Sequence, residues 1–189
     1  MGKYFFQTIH VPPSQQPEVF IGKILINLIG VYLLYTEISL VRNNLIAIIP
    51  WMSTEWSISF EYRMTGRILG YFKTILHFTN DGNGHRAPAV FMTVNSNTFH
   101  FTTALNENSN YAYNFHEVLQ LNRVYKVEIH QRYISNGNYR YFIKVDGEQV
   151  HSAVNTKAKQ CYNVKVYTGN PWYDVPEGFI SNLKFTNFF

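Results

Sequence analysis

From Trp56 onward, apolar and polar residues alternate with period two almost everywhere, and no 3.6-residue stripe persists for three turns. Such a chain buries one face of each extended segment and wets the other, so the pattern predicts an all-β protein. In residues 56–63, "WSISFEYR", Trp56, Ile58, Phe60 and Tyr62 share one face and Ser57, Ser59, Glu61 and Arg63 the other. Residues 123–152, "RVYKVEIHQRYISNGNYRYFIKVDGEQVHS", contain Asn136-Gly137 and Asp146-Gly147, dipeptides that supply the positive φ angles of tight hairpins. They read as a three-stranded meander. Tyr125, Val127 and Ile129 face inward with Tyr141, Ile143 and Val145, while Lys126, Glu128, Arg140 and Lys144 face water. Phe142 breaks the alternation, so another element covers it or a partner does. Further strands are expected at residues 75–79, 89–94, 98–103, 162–168 and 179–186, with Asn, Gly and Pro in the gaps. Trp56, Phe60, Val127, Ile129, Ile143 and Val145 should form one core across two sheets.

A chain of 189 residues is long enough for one well-filled domain. Residues 12–17, "PPSQQP", detach an N-terminal arm at residues 1–17 from a single sandwich domain at residues 18–189. With 46% hydrophobic, 17% aromatic and 15% charged residues, the composition is globular and the core should be rich in Phe and Tyr. The net charge of +4 comes from scattered Lys and Arg, which give no electrostatic footprint for nucleic acid. Cys161 stands alone, so neither an intrachain disulfide nor a cysteine-based metal site can form. The first residues lack the apolar stretch and small-residue cleavage site of a secretory signal; either none exists or it was removed. Residues 24–35, "ILINLIGVYLLY", are too short for a membrane span and contain Asn27 and Gly30, so they read as a buried strand pair. The apolar run over residues 24–49, together with Phe142, leads us to expect a homo-oligomer.

Three stretches, "WSISFEYRMTG…TILHFT", "LNRVYKVEIHQ…YRYFIKVDGEQVH" and "NVKVYTGNPWYDVPEGFISNLKF", resemble the concanavalin A-like and laminin G-like jelly rolls over residues 45–185. The resemblance implies a two-sheet antiparallel jelly-roll β-sandwich, and within that superfamily it lies nearest extracellular animal modules of lectin or adhesion type. It therefore implies an extracellular location and a glycan or an extracellular protein as partner. Galectins are similar at Leu76–Phe78 and Arg86, but their Asn-Pro-Arg continuation and later Trp with a nearby Glu are missing. Legume-lectin and glycoside-hydrolase members place acidic residues along one strand. Here the close acidic pairs, Asp146/Glu148 and Asp174/Glu177, fall in turns.

The candidate sites follow from residue type. Two carboxyls facing each other across a sugar, as glycosidases need, are not supplied by any one strand face, and no nucleophile elbow surrounds a Ser, so no enzyme is expected. The seven histidines include no His-x-His or His-Glu-x-x-His pair, and a zinc site would have to join distant strands, for example at His77 and His100. Trp172 and Tyr173 lie between Pro171 and Pro176 and either stack on a sugar ring or plug the open end of the sandwich. Residues 106–117, "NENSNYAYNFHE", put amides beside Tyr111, Tyr113 and Phe115 in what reads as a polar loop, fit for polar-ring recognition or merely solvated. In residues 80–86, "NDGNGHR", Gly82 and Gly84 and three turn-forming Asn and Asp residues specify a connecting loop. Asp81 and Asn83 are candidate calcium ligands, but calcium needs six to eight oxygens and the EF-hand spacing is absent. His85, Arg86 and Asn83 suit a polar ligand rim better. No cofactor is expected beyond that possible calcium or a bound apolar pigment. The reading is a non-enzymatic binding module, with two alternatives: a carrier of a lipid or a polyene pigment such as a carotenoid, and a structural subunit.

Overall fold

The computed structural model describes residues 30–66, 70–80, 82–93 and 96–188. The arm at residues 1–17, residues 24–29 of the apolar run at 24–35, and Asp81 lie outside the described residues. Among the described residues thirteen strands form two antiparallel sheets. They are β1 (Gly30–Leu34), β2 (Ile38–Ser39), β3 (Leu45–Met52), β4 (Trp56–Met64), β5 (Lys73–Thr79), β6 (Ala89–Met92), β7 (Phe99–Leu105), β8 (Asn108–Asn114), β9 (Val124–Ser135), β10 (Asn138–Val145), β11 (Glu148–Asn155), β12 (Cys161–Tyr167) and β13 (Gly178–Asn187). Sheet A runs β1-β13-β4-β9-β10-β11, with β2 also on β13, and sheet B runs β3-β12-β5-β6-β7-β8. Among the described residues no helix is long and apolar enough to cross a membrane.

The alternation expected along β4 is observed residue by residue, Trp56, Ile58, Phe60, Tyr62 and Met64 buried and the residues between them half-buried. The meander is β9, β10 and β11. Its turns place Asn136 and Gly137 at φ 51° and 75°, and Asp146 and Gly147 at 52° and 85°, the left-handed pairs that match the twist of a two-residue hairpin. The six expected core residues belong to one buried cluster, completed from sheet B by Ala47, Ile49, Phe78, Phe99, Phe101 and Val164, among others. Phe142 is half-buried on the outer face of sheet A, stacked on its cross-strand neighbour His130 at 4.5 Å and 11°. Of the 24–35 run, Gly30–Leu34 is β1, paired with β13.

The polar loop expected at residues 106–117 is corrected: Asn108–Asn114 is strand β8 at the edge of sheet B. A third tight hairpin, with Asn106 and Glu107 at φ 50° and 68°, returns β7 into β8. The Asn106 side chain donates to the Val154 carbonyl at 2.8 Å and accepts from the Thr156 amide at 2.7 Å, which ties this hairpin to the end of β11 in the other sheet. Across the same edge the Tyr111 hydroxyl and His151 Nε2 are 3.0 Å apart, and Tyr113 stacks on His151 at 4.4 Å. A strand with little apolar content is therefore held by tertiary contacts rather than by its own pattern.

Strands β5 and β6 depart from one-sided burial: every residue of both is buried except Lys73. Leu76, Phe78, Val90 and Met92 join the core, so His77, Ala89 and Phe91 must be covered on the other face of the sheet. Truncation should separate the two layers. Phe60 is 1% exposed, and Phe60→Ala is expected to cost about 3–5 kcal/mol in chemical denaturation, whereas Phe142→Ala on the outer face should cost clearly less.

Candidate functional site

The cover over β5 and β6 is made by two loops. The loop at residues 168–174 crosses the outer face of sheet B with its conformation set by Asn170, a buried amide. Asn170 Oδ1 accepts from the backbone amides of Trp172 at 3.1 Å and Tyr173 at 2.9 Å. Its Nδ2 donates to His77 Nδ1 at 2.9 Å, while His77 Nε2 donates to the carbonyl of His85 at 2.9 Å in the 80–86 loop. One neutral imidazole thus latches both loops to the strand beneath. Burial pushes the His77 pKa down to about 4, with the positive charge of Arg86 adding to that and the His85 carbonyl opposing it.

Above this latch the rings interlock. Trp172 meets His77 edge-on at 5.7 Å and Tyr167 at 6.1 Å; Tyr173 meets Phe91 at 5.4 Å; Phe72 leans on His100 at 4.7 Å. Tyr71, Phe72, Trp172 and Tyr173 wall a cleft of about 480 Å³, with Arg42, Lys73 and Asp174 at its margin. Tyr71 is 91% exposed, Phe72 42% and Trp172 40%, while Tyr173 is half-buried. Arg42 donates from Nε and Nη2 to the Pro171 carbonyl at 3.1 and 2.9 Å and lies 3.5 Å from Asp174, which stiffens the rim. The Thr74 amide donates to the Asp174 carbonyl at 2.8 Å. Burial lowers the pKa of His100 as well, with the Asn114 hydrogen bond opposing that and the positive charge of Arg86 adding to it.

The structure brings four of the sequence-derived site residues together. Asn83 Nδ2 donates to the Tyr173 hydroxyl at 3.4 Å, beside Trp172, and the Arg86 guanidinium sits 5.6 Å above the Phe91 ring and donates to Asn110 Oδ1. Asn83 Oδ1 and Arg86 Nε are buried without a partner, as are the hydroxyls of Thr74 and Thr102 on these strands. Tyr111 and Tyr113 are not part of this group; they face His151 at the sandwich edge. Of the calcium candidates, Asp81 lies outside the described residues and Asn83 contributes one amide oxygen. Both nitrogens of His77 are engaged, which removes it as a zinc ligand beside His100. Among the described residues no group of three or more His, Cys, Asp or Glu is gathered. Tyr71, Phe72 and Asn170 were not singled out in the sequence. The Asn-Pro step in "TGNPWYDVPEG" signals the turn that Asn170 caps, but nothing local announces its bond to His77.

The latch has two measurable consequences. Asn170→Ala leaves His77 Nδ1 buried without a donor and should cost about 1–3 kcal/mol, with Trp172 more mobile by fluorescence anisotropy. Because the folded pKa of His77 lies below its unfolded value, its contribution is complete above pH 6.5 and fades as pH falls toward 4. The loss by pH 4 should be about 3 kcal/mol, read as the difference in denaturation free energy between the native protein and His77→Gln across that window.

No family model and no curated protein sequence matches the chain. Solved structures share its fold. The receptor-binding domain of botulinum neurotoxin type G is similar over 79% of this chain, with a TM-score of 0.55 and 14% identity, and the chain spans 38% of that structure. Trypanosoma rangeli sialidase gives 0.51 and 12% over 70% of this chain, which corresponds to 20% of the sialidase. A heptameric SAP-like pentraxin of Limulus polyphemus gives 0.51 and 15%, covering 82% of this chain and 74% of its own. The CBM40 of the Ruminococcus gnavus IT-sialidase, solved with α2,3 sialyllactose, gives 0.50 and 12%, covering 82% and 92%. At these identities the likeness is one of fold: the chain is a two-sheet antiparallel jelly-roll β-sandwich.

Proposed function

We propose that the protein is a non-enzymatic glycan-binding module whose ligand lies in the cleft bounded by Tyr71, Phe72, Trp172 and Tyr173. The observation that carries this reading is the exposure of aromatic rings around one cleft whose Trp172 and Tyr173 wall is already fixed by Asn170 and Arg42. Pyranose rings offer apolar C–H faces and polar edges. A rigid aromatic side chain takes the face with little loss of entropy, and nearby amides and charges take the hydroxyls. Lys73 and Asp174 at the margin supply such groups. The fold supports the same reading, since one structural neighbour was solved with a sialylated sugar and another is a receptor-binding domain.

The remaining alternatives fit the geometry less well. A lipid or carotenoid would lodge between the sheets, where Phe60, Phe78, Phe99, Phe101, Tyr62 and Tyr125 fill the space at 1% exposure or less. For hydrolysis a second carboxyl would have to face Asp174, whose own carboxylate is engaged with Arg42, and the described lining offers none. An extracellular location and self-association belong to this proposal as its natural setting, because a weak single site gains avidity when copies are linked.

The test is a glycan array followed by calorimetry on the best binder. Trp172→Ala and Tyr71→Ala should each weaken binding by about tenfold or more, with the denaturation midpoint almost unmoved for Tyr71→Ala because that ring is exposed. Absence of any glycan binding, or binding by both variants as tight as that of the native protein, would sink the proposal. An absorbance band from a co-purified pigment would favour the carrier instead.

A further inference from the structure

A second cleft, of about 320 Å³, opens at the opposite end of the molecule between Trp51, Tyr133, Tyr139 and Phe188. The two clefts flank β12: Gln160, which lines the second, precedes its first residue, and Thr168 follows its last and leads to Trp172. Seven extended residues separate them by roughly 23 Å.

The second cleft is built as firmly as the first. The Arg132 guanidinium lies 3.7 Å over the Phe188 ring, and its Nε donates to Glu55 Oε1 at 2.7 Å. The Phe188 amide donates to the Glu55 carbonyl at 3.0 Å. Behind Thr54 runs a buried amide chain: Gln131 Nε2 donates to the Thr54 carbonyl at 2.7 Å, and Asn155 Nδ2 donates to Gln131 Oε1 at 2.8 Å. Tyr133 meets Tyr139 edge-on at 5.5 Å yet stays 52% exposed.

Its polar groups keep hydrogen-bonding capacity. Thr54 Oγ1 donates to the Tyr139 oxygen at 2.8 Å, so the tyrosine's own proton is available to another acceptor. Gln160 Oε1 accepts from Tyr162 at 3.1 Å, which leaves the amide NH2 as a donor, and Glu55 keeps its second carboxylate oxygen. The lining itself holds one carboxylate, Glu55, and no cation; Arg132, which is not a lining residue, pairs with Glu55 through Nε alone.

We infer that this cleft is a second carbohydrate site, taking a single neutral pyranoside whose apolar face stacks on Tyr133 and whose hydroxyls meet Tyr139, Glu55 and Gln160. Its volume is at the lower end of the ~300–1,000 Å³ range of small-molecule sites, which fits one ring rather than a chain. An acidic sugar is disfavoured by the carboxylate. The second site stands whether or not the first cleft binds as proposed above; with both occupied the protein is bivalent as a single chain.

The three tryptophans make the test direct, because Trp51 lines the second cleft, Trp172 the first, and Trp56 is buried between the sheets. The full chain labelled with 5-fluorotryptophan is titrated by 19F NMR with methyl α-mannopyranoside, methyl β-galactopyranoside and methyl β-N-acetylglucosaminide, and with N-acetylneuraminic acid as the charged comparator. Ligand is taken to about 50 mM, enough to detect millimolar dissociation constants. A saturable shift of the Trp51 signal is expected with at least one neutral glycoside, present also in Trp172→Ala, weakened by about tenfold or more in Tyr133→Ala, and stronger than any response to the acid. Trp56 should not move. A Trp51 signal that stays still with every neutral glycoside, that moves equally in Tyr133→Ala, or that responds best to the acid overturns the inference. Movement of Trp172 alone would sink this inference and leave the first cleft standing; movement of Trp51 alone would support it and sink the first.

Discussion

Phe99 is the ring on which the two sheets register. It belongs to β7 of sheet B and is met edge-on by Tyr62 of β4 at 5.7 Å and by Tyr125 of β9 at 5.9 Å, both from sheet A. Phe101 and Phe115 complete its surroundings at 5.6 and 6.2 Å. Edge-to-face pairs contribute about 0.5–1.5 kcal/mol each beyond their buried area, and they do so only in particular orientations. A one-residue slip of β7 would turn Phe99 outward and His100 inward, losing the contacts with Tyr62, Tyr125 and Phe115 at once. The aromatic content of the chain therefore specifies register as well as burial.

That register dictates what lies on the other face. With Phe99, Val90 and Phe78 turned to the core, the intervening residues His100, Phe91 and His77 emerge on the outside of sheet B, an apolar and weakly basic floor that needs a roof. A buried imidazole needs a partner for each nitrogen, and the chain supplies them from two loops, Asn170 from one and the His85 carbonyl from the other. Satisfying one polar group thus positions both loops. Because Asn170 also accepts the amides of Trp172 and Tyr173, the rings that rim the cleft inherit their placement from the hydrogen-bond needs of His77.

Where the pattern was strong, the fold could be read in advance. The alternation in β4 and in the meander, with Asn-Gly and Asp-Gly turns, named the core correctly because each signal is local and each residue type suits its place. β8 escaped because "NSNYAYN" carries few apolar residues and its turn uses Glu107 at positive φ, a poor fit for glutamate; what holds it is His151 and Asn106 reaching across the sandwich edge. The double burial of β5 and β6 was likewise invisible, since it depends on loops that return from distant sequence. The site was half legible for the same reason. Trp172, Tyr173, Asn83 and Arg86 stand out by type, but the latch joins residues 93 positions apart, and no local spacing encodes it.

The choice of histidine at position 77 reconciles two demands that a simpler residue would set against each other. A phenylalanine there would fill the same floor but leave Asn170 Nδ2 and the His85 carbonyl without partners beneath the roof, releasing both loops. A lysine would meet the carbonyl but repel Asn170 Nδ2, donor against donor, and would bring a charge under the aromatic rim. The neutral imidazole is at once an acceptor at Nδ1 and a donor at Nε2, so it joins the loops and keeps the floor uncharged. Its depressed pKa is the consequence of that burial rather than a device for titration. Arg42, Lys73 and Asp174 lie at the margin, where water and a polar ligand can reach them, so the charge nearest the floor is the Arg86 guanidinium over Phe91 and His77 adds none of its own.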